Sequence, residues 1–204
     1  MSASHPRIGL YGGSFDPFHL GHLLVAQSAL EELELDRLVF LPAARSPFKP
    51  GTVPAPASLR TAMIRRALAG KPDFEVDPIE VERGGISYSI DTVREYRRRH
   101  PLGSFFWLIG ADHVAQLHEW REARELAESV TFAVIPRPGQ PDVSRPAPWK
   151  LVHLRGWPLS VSSSEIRERV RQHRTISHLV PATVVETIAA EHLYESRPAG
   201  EPKS

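Results

Sequence analysis

Hydrophobic positions along this chain fall into two periods. Continuous apolar runs at Arg7 to Tyr11, Leu38 to Leu41, Ser104 to Ile109 and Val130 to Ile135 have the length of strands buried on both faces. Phe74 to Val81 and Leu151 to Leu154 can supply two more. Between them, apolar residues recur at helical spacing. Leu23, Ala26, Leu30 and Leu33 form one stripe, Leu59, Met63 and Ala67 a second, and Ile90, Val93 and Tyr96 a third. Further helices are expected over Arg121 to Ala127, from Ser162, and from Pro181 with Val185, Ile188 and His192 on its buried side.

Strands alternating with helices predict an α/β fold: one doubly wound, mostly parallel sheet with helices on both faces. No internal repeat or linker divides the chain, so residues 1–195 read as one domain and 196–204 as a disordered tail. In such sheets ligands sit at the carboxyl ends of the strands.

Composition changes this picture little. The 204 residues carry a net charge of +1, 41% hydrophobic and 24% charged residues, as in an ordinary globular protein with no global field for nucleic acid or a membrane surface. There is no cysteine, which excludes disulfides and thiolate metal sites. No apolar run has the length of a membrane span, and a cytoplasmic protein is the expectation.

The chemistry concentrates at two points. Gly12-Gly13-Ser14-Phe15-Asp16-Pro17-Phe18-His19-Leu20-Gly21-His22 joins the first strand to the first helix. Glycines there permit a close backbone turn, Asp16-Pro17 is a turn signal, and Gly21 removes a side chain at a close approach. His19 and His22 then stand at a helix N-terminus, where N–H groups and the helix dipole favour an anion. Neither G-x-G-x-x-G nor a Walker sequence is present. The second point is Ser162-Ser163-Ser164-Glu165-Ile166-Arg167, a capping box with a guanidinium on its first turn. Taken alone it is a plain helix cap with a surface arginine.

The first segment resembles the signature of the nucleotidyltransferase superfamily with a His-x-Gly-His motif, and the second resembles that family's Ser-Ser/Thr-x-x-Ile-Arg. The middle of the chain narrows the resemblance to bacterial nicotinate-mononucleotide adenylyltransferases. Ser87-Tyr88-Ser89-Ile90-Asp91-Thr92 is similar to their Ser-Tyr-Thr-x-x-Thr. Phe106 to Asp112 is similar to their strand ending in Gly-x-Asp. Trp120 follows at the spacing of their base-stacking tryptophan, and Arg137-Pro138-Gly139 matches a later loop. The resemblance runs from about residue 7 to 194 and implies a Rossmann-like sheet of the nucleotidyltransferase type.

It also implies adenylyl transfer from ATP to nicotinate mononucleotide, with Mg²⁺ carried by ATP and no metal ligands in the protein. His19, His22 and Arg167 would be catalytic. Gly12, Gly13, Ser14, Phe15, His19, Gly21, His22, Gly110, Asp112, Ser163, Ser164 and Arg167 would bind ATP. Ser14, Phe15, Lys49, Ser87, Ser89, Trp120 and Arg121 would face the acceptor. Two positions depart from the pattern: Phe48 replaces a usual histidine before Lys49, and Ser89 a usual threonine. A preference for nicotinamide mononucleotide, a non-catalytic nucleotide-binding regulator on the same fold, and the oligomeric state, homo-oligomer included, stay open. No nucleic-acid or membrane partner is expected.

Overall fold

The computed structural model describes residues 5–48, 51, 53–136, 148–157 and 159–195. Among these residues six strands form one sheet: β1 Arg7–Gly13, β2 Arg37–Pro42, β3 Phe74–Val76, β4 Ser104–Gly110, β5 Thr131–Ile135 and β6 Leu151–His153. Their order is β3-β2-β1-β4-β5-β6, and every pairing is parallel, so the sheet is wholly rather than mostly parallel. Order reverses between β1 and β4, and the crevice at their carboxyl ends is where a doubly wound sheet takes its ligand.

Helices α1 Leu20–Glu32, α2 Ala57–Leu68, α7 Ser163–Arg171 and α8 Ala182–Ala190 cover one face, packing Ala26, Ala29, Met63, Ile166, Val184 and Ile188 against Leu38, Phe40, Phe106 and Leu108. The other face carries α4 Ser89–Arg99, α5 Ala111–Val114 and α6 Ala123–Ser129, with a 3-10 turn at Leu117–Glu119. There Ile90, Val93, Tyr96, Val114 and Leu126 meet Ile8, Leu10, Val39, Leu41, Trp107 and Ile109. Neighbours along β2 and β4 go to opposite cores, which is why those runs are apolar at every position.

Three local expectations are corrected. The strand begun at Phe74 stops at Val76, because Pro78 has no N–H for a ladder and the Asp77 carboxylate accepts from Ile79 N at 3.0 Å. Residues Ile79–Arg83 form a short helix, α3, instead. Helix α6 starts at Ala123 rather than Arg121, since Glu122 takes a left-handed conformation with φ 51°. The stripe of α8 is Val184, Thr187 and Ile188. Its last residue is Ala190, and His192 beyond it is left-handed at φ 49° with an exposed side chain.

The expected tail at 196–204, the loop Arg137-Pro138-Gly139 and Lys49 lie outside the described residues.

Candidate active site

The glycine turn leaves β1 at the centre of the sheet. Neither Gly12 nor Gly13 has positive φ. What they supply is room: a Cβ on Gly12 would lie 3.1 Å from the Trp107 ring, and one on Gly13 3.0 Å from the ring of Phe15. The unusual backbone is at Phe15, with φ 47°. Its ring is 2% exposed and packs edge-on against Tyr11 and His22, so any ligand contact from Phe15 comes through its backbone.

His19 caps α1 in an extended conformation. Its imidazole is buried, its Nδ1 has no hydrogen-bond partner among the described residues, and burial lowers its pKa to about 4. His22, one turn on, lies face to face with it, ring centroids 3.6 Å apart and planes 20° apart. The Nδ1 of His22 accepts the backbone N–H of His19 at 3.1 Å. Nδ1 therefore keeps its lone pair, and in the neutral ring the proton sits on Nε2 as a donor. Two cations could not share this stack at neutral pH, and burial keeps His19 neutral. A Cβ on Gly21 would come within 3.0 Å of the His19 imidazole and of Val161, so the close approach that requires this glycine is to the histidine.

The second constellation faces the first across short bonds. Ser162 caps α7, its hydroxyl accepting Glu165 N–H at 3.2 Å. The Ser163 hydroxyl donates to the Pro17 carbonyl at 3.0 Å. Arg167 donates through Nη1 to the Asp16 carbonyl at 2.7 Å and through Nη2 to the Ser164 hydroxyl at 3.2 Å. Segments about 150 positions apart in sequence thus share one wall, and the arginine is oriented by the turn it faces.

Beyond β4, Gly110 caps α5 and Asp112 stands in its first turn, partly exposed. Trp120 follows the 3-10 turn, with its Nε1 buried and without a hydrogen-bond partner among the described residues, and its ring near Phe48, His113 and Phe132 at 5.3, 6.4 and 6.3 Å. Phe48 is 46% exposed and also lies over His113 at 5.0 Å. The Arg121 guanidinium sits 4.7 Å over the Tyr88 ring and 3.9 Å from Asp91, which brings the tryptophan segment and the Ser87–Thr92 segment together. Ser89 opens α4 and is half-buried. Ser87 is occupied internally. Its hydroxyl accepts Ala44 N–H at 3.0 Å and bonds to the buried Glu80 carboxyl, and its own N–H donates to the Arg45 carbonyl at 2.9 Å. Its observed role is to brace the loop after β2.

Three residues at this site carried little signal in the sequence. Asp16 read only as a turn residue, yet its buried carboxylate accepts Tyr194 O–H at 2.7 Å and Ala55 N–H at 3.2 Å. Tyr194 lies 178 positions away in a segment with no motif. Arg60 sits inside the Leu59–Met63–Ala67 stripe and is 1% exposed; a cation in an apolar stripe was the available clue.

A crevice at the switch point of a parallel sheet, with a glycine–histidine turn on one side and a serine–arginine helix start on the other, defines a nucleotide-handling site of the nucleotidyltransferase class. A family model described as cytidylyltransferase-like matches residues 10–169, and the chain belongs to that family. It is 42% identical over 190 residues to a protein of Opitutus terrae named "Probable nicotinate-nucleotide adenylyltransferase", covering 92% of this chain and 97% of that one. A Thermus thermophilus protein of the same name is 44% identical over 189 residues, covering 92% and 99%. Among solved structures, the fold matches nicotinic acid mononucleotide adenylyltransferase of Plasmodium falciparum complexed with NaAD. The TM-score is 0.77 at 19% identity, over 93% of this chain and 98% of that one.

Proposed function

We propose that this protein, as one nucleotidyltransferase domain over residues 1–195, transfers the adenylyl group of ATP to nicotinate mononucleotide, giving nicotinate adenine dinucleotide and pyrophosphate. The observation that carries the reading is the junction of the two constellations: Arg167 on the Asp16 carbonyl and Ser163 on the Pro17 carbonyl, beside the stacked His19 and His22. Relatives above 40% identity across more than nine-tenths of the chain bear the name of this activity.

The acceptor's phosphate oxygen is already anionic at neutral pH, so no general base is required. It attacks the α-phosphorus of ATP, and the bond to the pyrophosphate oxygen breaks in line. The chain's contribution is placement and charge stabilisation. The N-terminus of α1 and the Nε2–H of His22 donate to phosphate oxygens, while neutral His19 backs the His22 ring. Ser164 and Arg167 hold the opposite side of the triphosphate, and Gly110 and Asp112 the adenosine portion. Trp120 offers a stacking surface to the pyridine ring, with Arg121 and Ser89 on the acceptor's side.

Among the described residues no group of three or more histidines or carboxylates could hold a metal ion. Mg²⁺ would enter with ATP as part of the substrate, and would there neutralise phosphate charge. No described helix is long and apolar enough to cross a membrane. We place the enzyme in the cytoplasm, with small nucleotides as its partners and no nucleic acid.

Pyrophosphate release measured with ATP and each of nicotinate and nicotinamide mononucleotide tests the reading. Faster turnover with the acid acceptor is expected. Preference for the amide would overturn the acceptor assignment, and ATP binding without release would overturn catalysis.

A further inference from the structure

Arg60 donates from its three guanidinium nitrogens to three backbone carbonyls: Nε to Ala55 at 2.9 Å, Nη1 to Ser14 at 2.7 Å and Nη2 to Ala43 at 2.8 Å. None of these acceptors is a carboxylate, and the side chain is 1% exposed. A buried cation whose hydrogen bonds all go to neutral carbonyls, with the Asp16 carboxylate acting only through space, is costly, and an apolar residue would fill this position on α2 more cheaply. What an apolar residue lacks is a rigid planar fork that reaches three acceptors at once.

The three carbonyls share a meaning in the fold. Ser14 belongs to the glycine turn, Ala43 is the first residue beyond β2, and Ala55 precedes Pro56, the cap of α2. Ala43 and Ala55 are therefore the two ends of the proline-rich loop whose Phe48 lies against Trp120. Each end is tied a second time. Ala43 N–H donates to the Gly13 carbonyl at 2.9 Å, Ala44 N–H to the Ser87 hydroxyl at 3.0 Å, and Ala55 N–H to the Asp16 carboxylate at 3.2 Å. Turn and loop ends form one frame with a guanidinium at its centre.

We propose that Arg60 is a positioning residue for nucleotidyl transfer: touching neither nucleotide, it fixes the phosphate-side turn against the loop that reaches the acceptor side. This rests on the transfer reading above. Geometry of in-line attack then depends on a group buried beneath the site. Its loss appears in turnover more than in binding, because small misplacement of the reacting atoms is felt in the chemical step.

The test compares Arg60→Met with Met63→Ala, a truncation in the apolar core one turn along the same helix that removes no hydrogen-bonding group. Turnover with ATP and nicotinate mononucleotide is measured well below both melting temperatures, alongside amide exchange. For Arg60→Met we expect kcat lower by on the order of 100-fold, with each KM within about threefold of the parent. Faster exchange should be confined to residues 13–16, 43–45 and 55. Met63→Ala should keep its kcat despite a comparable loss of stability. A folded Arg60→Met with kcat within about twofold of the parent, or a fall matched by Met63→Ala, overturns the proposal. If Arg60→Met does not fold, Arg60→Lys, which keeps the charge on one donor centre, is measured instead; full turnover in it overturns the proposal equally. Absence of pyrophosphate release from the parent protein would sink the transfer reading, and the exchange comparison would still judge the frame.

Discussion

The imidazoles of His19 and His22 are stacked 3.6 Å apart, and the backbone N–H of the first is bonded to Nδ1 of the second. One contact thus fixes both the tautomer and the orientation of His22. Replacing His22 by Ala removes the Nε2 donor, and turnover should fall by roughly 10²–10³, the scale for losing one transition-state donor. His22→Asn offers a side-chain oxygen to the same N–H and should recover stability without recovering turnover. Steady-state kinetics at saturating ATP, with thermal melts of both variants, check the pair; near-normal kcat in His22→Ala would remove its assigned role.

The burial of His19 has a consequence for stability. Its folded pKa lies at about 4 against 6.5 for the ordinary group, so between those values the unfolded chain binds the extra proton. Stability is full above pH 6.5 and is lost as pH falls toward 4, by about 3 kcal/mol in all if one unit is worth about 1.4 kcal/mol. Glu80 acts in the opposite sense, because burial raises its pKa and folding then favours the protonated carboxyl as pH drops. Comparing the parent with His19→Asn cancels that contribution. Urea unfolding at pH 7 and pH 4.5 should show a steeper acid loss in the parent, and parallel losses would contradict the assignment.

On the acceptor side, Trp120 is the only residue whose proposed role is stacking. Trp120→Ala should weaken acceptor use by about 1–3 kcal/mol, read as a rise of about fivefold or more in its KM, with the KM for ATP nearly unchanged. Trp120→Phe should restore most of the difference, since a π-face remains. Equal effects on both substrates would show that the substitution disturbs the core against Phe132 instead.

The central strands, and the helices with strong stripes, were legible because β2, β4 and β5 are apolar on both faces and each helix stripe is contiguous. The β3 run misled because Ile79 and Val81 continue the hydrophobic pattern while Asp77-Pro78 ends the strand. At the site, the glycine–histidine turn stood out from local sequence, and the serine–arginine helix start gained meaning only beside it. Their mutual bonding did not stand out, since Ser163–Pro17 and Arg167–Asp16 join segments that only the sheet order brings together. Ser87 shows the converse: its motif pointed to the acceptor, while its hydroxyl and N–H are engaged in bracing Ala44 and Arg45. Residues that act through backbone carbonyls, as Arg60 does, leave no spacing to read.

Tyr194 couples the end of the described chain to the glycine–histidine turn. Its hydroxyl donates to Asp16 at 2.7 Å, and burial, followed by that carboxylate, raises its pKa above the ordinary phenol, so it remains a donor at neutral pH. Tyr194→Phe leaves the buried Asp16 with the Ala55 N–H as its remaining described hydrogen bond and the Arg167 guanidinium 3.8 Å away. Removing a hydrogen bond to a charged group costs about 1.5–3 kcal/mol, and that loss should appear in denaturant unfolding. The same turn carries the carbonyl that orients Arg167, so kcat should fall as well, while acceptor KM, set around Trp120, should hold. Because Phe keeps the ring packed, a variant with parent-like stability would mean that water replaces the phenol at no cost. In that case the C-terminal segment would not be part of the frame that holds Arg167.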